Sequence, residues 1–187
     1  MLTDLLIPSY LQLLGALGGW LEKARAQTDC GECRELMAAR LAPDMYPLAT
    51  QVRFACVQVY EGVARLRDEA LPDMVDVLLD EGRNASEDPG SLDDALTRIA
   101  GATAMLKSLA ADALDRDALD PIAHDLPNGM VFDFTAEQYA RDWTLSQFYF
   151  HVMIAYAIMR KEGIELGKGD YVGHLLPFLR PCTIPTG

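Results

Sequence analysis

The sequence predicts an all-α fold, a bundle of four long helices, and three stretches carry that prediction. After residue 40, Leu48, Val52, Ala55, Val59, Val63 and Leu66 recur at three- and four-residue intervals, the seam of an amphipathic helix. Ser91 with Asp94 and Thr135 with Gln138 have the spacing of capping boxes, in which side chains take the N–H groups that a first helical turn leaves unpaired. The run FYFHVMIAYAIM, 148–159, is apolar or aromatic on every side except at His151, so it predicts the buried middle of a bundle with no face suited to water. A membrane span would need roughly 20 such residues.

The first helix is predicted over 8–27. Pro8 suits a first helical position, and Tyr10, Leu13, Leu14, Leu17, Leu21 and Ala24 share one face. Gly15, Gly18 and Gly19 each lower helix propensity by about 1 kcal/mol relative to Ala, and mark either a close approach by another backbone or a locally weak helix. LLIPSYLQLLGALGGWL followed by Ala24-Arg25-Ala26 looks superficially like a secretory leader. It has no basic n-region, it carries Asp4, and it keeps helical spacing, so it is read as part of the mature fold.

Asp29 and Glu32 make another capping spacing and open a short extra helix over 30–40, which starts on the C-x-x-C pair Cys30 and Cys33. A helix start favours thiolates, yet Asp29, Glu32 and Glu35 oppose them, and no βαβ unit frames the pair. Zinc binding there would need two more ligands, and Cys56 and Cys182 stand in unrelated contexts. The second long helix carries the seam from Leu48, with Asp44, Gln51 and Gln58 on one flank at the edge of the core. Residues 71–90 turn acidic and end in Gly, Asn, Pro and Ser, which predicts a long connection holding at most one short helix. The third long helix opens at Ser91, turns Leu92, Leu96, Ile99, Ala102, Leu106 and Leu109 inward, and ends near Asp115.

Between 121 and 134, Pro127-Asn128-Gly129 signals a tight turn between short runs that can pair as a small hairpin, with His124 solvated on it. The last long helix is predicted over 135–163. Arg160 and Lys161 suit the negative end of its dipole, and Gly163 can close it in the left-handed conformation. Beyond it the chain is too rich in Gly and Pro for another long helix. Residues 173–187 are expected to form an irregular tail, with 175–179 packing on the bundle and His174 an ordinary surface histidine.

At 187 residues the whole chain, 1–187, reads as a single domain, large enough to bury about 70% of its unfolded surface. Its 16 basic and 28 acidic residues give a net charge of −12, which opposes attraction to nucleic acid or an anionic membrane. Four cysteines in a chain of this length do not make a disulfide framework, so the expected compartment is a reducing cytoplasm.

The segments IPSYLQLLGALGGWLEKA, RLAPDMYPLATQV, SLDDALTRIAGATAMLKS and FYFHVMIAYAIMRKEGIELGKGDYVG resemble a bacterial domain-of-unknown-function family placed with the DinB/YfiT-like four-helix bundles. The resemblance covers roughly residues 5–173 and implies a DinB-like four-helix bundle with a long crossover, acting as a homodimer. Some members of that superfamily hold a divalent metal, zinc or nickel, through three histidines and act as thiol-dependent transferases or isomerases. One histidine comes from the second long helix and two, spaced H-x-x-x-H, from the last. His151 matches the first of that pair, but Ala155 stands at the second position and no histidine precedes His124. A substitute metal site of His151, Asp44 and Gln51 would be weak, because its mixed donors suit no single metal well.

Asp44, Gln51, Gln147 and His151 are therefore expected to form a buried polar cluster facing a pocket between the second and last long helices, since an unpaired buried imidazole costs about 1–3 kcal/mol. Three functions follow: a dimeric small-molecule-binding or vestigial bundle with a degenerate metal site, a metal-assisted or thiol-dependent transferase or isomerase using His151, and a redox protein using Cys30 and Cys33.

Overall fold

Helices α1 (Leu2–Gln27), α2 (Cys30–Ala38), α3 (Leu48–Leu66), α4 (Asp73–Asn84) and α5 (Leu92–Ser108) precede a two-stranded hairpin, β1 (Pro121–Asp125) and β2 (Val131–Thr135). The computed structural model describes residues 1–180, apart from the side chains of residues 30–32. After the hairpin comes one helical run, made of α6 (Ala136–Gln138), a π-helical segment (Tyr139–Leu145) and α7 (Ser146–Lys161). Short α8 (Lys168–Val172) and a 3-10 turn (Gly173–Phe178) follow. The chain is thus mostly helical with one small hairpin, and none of its described helices is long and apolar enough to cross a membrane.

Helix α3 is the axis of the packing, touching α7, α4 and α5, while α1 lies against α5 and α7. Its seam side chains Leu48, Val52, Ala55 and Val59 are fully buried. They meet Leu13, Leu14 and Leu17 of α1 and Phe148, Val152 and Ala155 of α7 in one hydrophobic cluster. Both capping boxes form: Ser91 Oγ accepts from the Asp94 N–H at 3.0 Å, and Thr135 Oγ1 accepts from the Gln138 N–H at 3.2 Å. Gly163 closes the last helix at φ +89°.

Several elements differ from the sequence expectation. Helix α1 begins at Leu2 rather than at Pro8, because its first turn is tethered. The Thr3 N–H donates to Asp115 Oδ1 at 2.9 Å, the Leu114 N–H donates to Thr3 Oγ1 at 2.9 Å, and Leu6 is buried. Its glycines mark no close backbone approach. A Cβ at Gly15 or Gly19 would meet nothing within 4 Å, and one at Gly18 would meet only the side chains of Ile99 and Leu96. The acidic connection holds α4, three turns long, whose Val75 and Leu78 are buried and whose Gly82 admits the ring of Phe54.

The final helix is not sealed on every side: Tyr149, Phe150 and Met153 are 38–53% exposed. Leu175, Leu176, Phe178 and Leu179 are exposed rather than packed. The end of the chain is anchored instead by α8, where the Trp20 indole N–H donates to the Asp170 carbonyl at 3.3 Å, Lys23 pairs with Asp170, and Gln12 meets His174 Nε2 at 2.6 Å. Residues 181–187 of the expected tail lie outside the described residues, as do Cys182 and the side chain of Cys30.

Candidate functional site

His151 lies midway along α7 and faces α3. Its Nδ1 is 2.9 Å from Gln51 Oε1. The Gln51 amide nitrogen in turn donates to the Tyr46 carbonyl at 3.2 Å, which fixes the amide orientation and leaves only an acceptor toward the ring. Nδ1 must therefore carry the proton, and Nε2 keeps its lone pair. Burial holds the imidazole down, to a pKa of about 4, so the ring is neutral at physiological pH. Phe54 and Phe150 present edges to it, with ring centroids at 5.5 and 5.4 Å, and Tyr46 packs on Phe54.

The structure brings together two of the four residues singled out by sequence. Asp44 is not on the helical flank where the spacing put it. Pro47 is the N-cap of α3, so Asp44 falls in the preceding connection and is exposed. Gln147 is half-buried, and no hydrogen bond among the described residues joins it or Asp44 to the pair. Ala155, at the position of the second imidazole in the metal-binding pattern, is fully buried in the core. One imidazole and one amide oxygen do not fit the metal that the resemblance implies, and no group of three or more His, Cys, Asp or Glu among the described residues could hold an ion.

The cavities lie elsewhere. One of about 500 Å³ is lined by Arg25, Thr28, Cys33, Arg34 and residues 90–93. Cys33 is a free, half-buried thiol there, 3.1 Å from Thr28 Oγ1. A second, of about 390 Å³, lies over Arg53, Glu81 and Arg98. Arg53 is 3% exposed and shares the Glu81 carboxylate with Arg98, a bridge that ties α3 and α5 to α4. Neither cavity is lined by Gln51, Gln147 or His151.

A second polar centre was not visible in the sequence. His124, expected to be solvated, is 2% exposed. The hairpin folds back on α3 and the π-helical segment, where the His124 ring lies 4.2 Å from that of Trp143 and 5.7 Å from that of Tyr139, with Nδ1 3.7 Å from Glu61 Oε1. Glu61 is held by Arg65 Nε at 2.9 Å, and Arg65 also donates to the Ala123 carbonyl at 3.0 Å, fastening β1 to α3. Burial pushes the His124 pKa down, against the pull of Glu61, and pushes the Tyr139 phenol well up. Close by, Tyr10 Oη meets Thr144 Oγ1 at 2.6 Å, and Thr144 donates to the Gln58 carbonyl at 3.0 Å, so Tyr10 is the donor of the first bond.

Five buried side-chain polar atoms among the described residues have no hydrogen-bond partner, and four of them, Gln58 Oε1, His124 Nδ1, Tyr139 Oη and Trp143 Nε1, belong to this region. Left unpaired, each would cost about 1–3 kcal/mol, a combined penalty comparable to the whole stability of a typical domain, about 5–15 kcal/mol.

A family model described as a domain of unknown function, DUF1993, matches residues 2–172. No match is found among curated proteins. Among solved structures the chain is similar to a DinB family member protein from Shewanella denitrificans, at 27% identity and a TM-score of 0.73, over 99% of this chain and 96% of that one.

Proposed function

The chain belongs to the DUF1993 family of domains of unknown function, and from that premise we propose a small-molecule-binding bundle in which the metal site of DinB-like relatives has degenerated. In this reading residues 1–187 form a single DinB-like four-helix-bundle domain, with α4 in its long crossover, working as a cytoplasmic homodimer. One observation carries it. Where the metal pattern calls for a histidine on the second long helix, Gln51 takes the Nδ1 proton of His151, and where it calls for a second histidine on the last, Ala155 is buried in the core.

The surface left at this place is a neutral imidazole with an accepting Nε2, set among Phe54, Phe150 and the exposed Met153 and Tyr149. Such a surface suits an uncharged molecule with an apolar body and one hydrogen-bond donor. The same exposed side chains support self-association, since large apolar groups grouped on one helix face favour a partner.

Metal analysis of untagged protein tests the reading, before and after mild chelation and beside His151→Ala. The expected result is no stoichiometric zinc or nickel in either protein. One metal per chain, lost in His151→Ala, would overturn it in favour of the transferase or isomerase alternative, with His151 as a ligand. Native mass spectrometry of the same samples reports both the oligomeric state and any small molecule that copurifies.

A further inference from the structure

The unpartnered groups beneath the hairpin are too buried to be ordinary surface polarity and too concentrated to be scattered defects. Tyr139 is fully buried and His124 is 2% exposed. Each belongs to a different element: Gln58 to α3, His124 to β1, and Tyr139 with Trp143 to the π-helical segment. They differ in what they lack. His124 Nδ1 has the Glu61 carboxylate at 3.7 Å, too long for a hydrogen bond but close enough for a small shift to make one. Trp143 Nε1 can only donate, Gln58 Oε1 can only accept, and Tyr139 Oη can do both, and the structure supplies no such neighbour for any of the three. A molecule that both donates and accepts, and is small enough to share a packed seam, meets all three needs.

We propose that the seam between the hairpin, α3 and the π-helical segment is a built hydration site, in which buried water hydrogen-bonds Tyr139 Oη, Trp143 Nε1 and Gln58 Oε1 beside His124 and Glu61. Buried waters occur about once per 27 residues and make about three hydrogen bonds each, so a few molecules suffice. The π geometry contributes too: its i→i+5 bonds widen the helix, a distortion often found where a helix serves a site. The site lies two turns along α3 from Gln51 and uses none of the groups at His151.

Two measurements on the intact chain test the proposal. Water–protein cross-relaxation NMR should show a direct contact between the Trp143 indole proton and a water bound for longer than overall tumbling. Thermal unfolding of Tyr139→Phe, which deletes one hydroxyl and nothing else, should show Tm lowered by about 2–4 °C, and the loss should not add to that of Gln58→Leu if one water serves both. Absence of long-lived water at Trp143 together with a raised Tm in Tyr139→Phe would overturn the proposal, because the hydroxyl would then be an orphan. An organic molecule retained at one per chain in the native mass spectrum and displaced in Tyr139→Phe would overturn it as well.

Discussion

Acidification should draw stability out of this fold through His151. Folding lowers the imidazole from its ordinary 6.5 to about 4. The folded chain thus refuses a proton that the unfolded chain accepts, and stability present above pH 6.5 is lost as the pH falls toward 4. Below pH 4 the full difference amounts to about 3 kcal/mol at 1.36 kcal/mol per tenfold change, and at pH 5 about 2 kcal/mol is already gone. The assay is urea unfolding at pH 7.5 and pH 5, comparing the wild type with His151→Gln. At pH 5 the wild-type midpoint should fall by about 1 M more than that of the variant. His124 shifts in the same direction and is present in both proteins, so it cancels in the comparison. A proton NMR titration of the His151 ring gives the midpoint directly. An apparent pKa near 6.5, or an equal pH response in the variant, would refute the argument that burial and the Gln51 bond keep the ring neutral.

Two further substitutions probe the packing around the two polar centres. Gly62→Ala would place a Cβ 2.4 Å from Thr144 Oγ1 and 2.9 Å from Tyr10 Oη, so it should destabilise by about 1–3 kcal/mol, read as a lower urea midpoint. Glu81→Ala leaves Arg53 buried with only the Ala49 carbonyl at 3.3 Å for company; it should cost about 3–5 kcal/mol, and Glu81→Gln should restore part of that by keeping an acceptor.

Much of the helical fold was legible because its signals are local. The capping pairs Ser91/Asp94 and Thr135/Gln138, the seam on α3 and the closing Gly163 each depend on residues within a turn or two of one another. The misplacements share the opposite property. Helix α1 extends past Pro8 because Thr3 is held by the 114–115 backbone and side chain, more than a hundred residues away. His124 sits in a polar-looking hairpin whose alternation gives no hint that one strand face is pressed on α3. Asp44 shows the limit of angular arithmetic, since a spacing of seven places residues on one face only if the helix reaches them, and Pro47 stops it short. Gln51 was legible as a polar residue opposite His151, while its role as acceptor needed the Tyr46 carbonyl to set the amide.

The π-helical segment Tyr139–Leu145 has a mechanical consequence. Each of its hydrogen-bonded loops encloses one residue more than an α-turn, so the helix changes phase as it passes from hairpin to bundle. Removing a single residue there would let the ladder revert to α and swing everything downstream by about 100° about the helix axis, carrying His151 off Gln51 while the hairpin end stayed seated. The segment thus works as a rotary joint set at one angle, and chain-length changes within it would be far more disruptive than substitutions at the same positions.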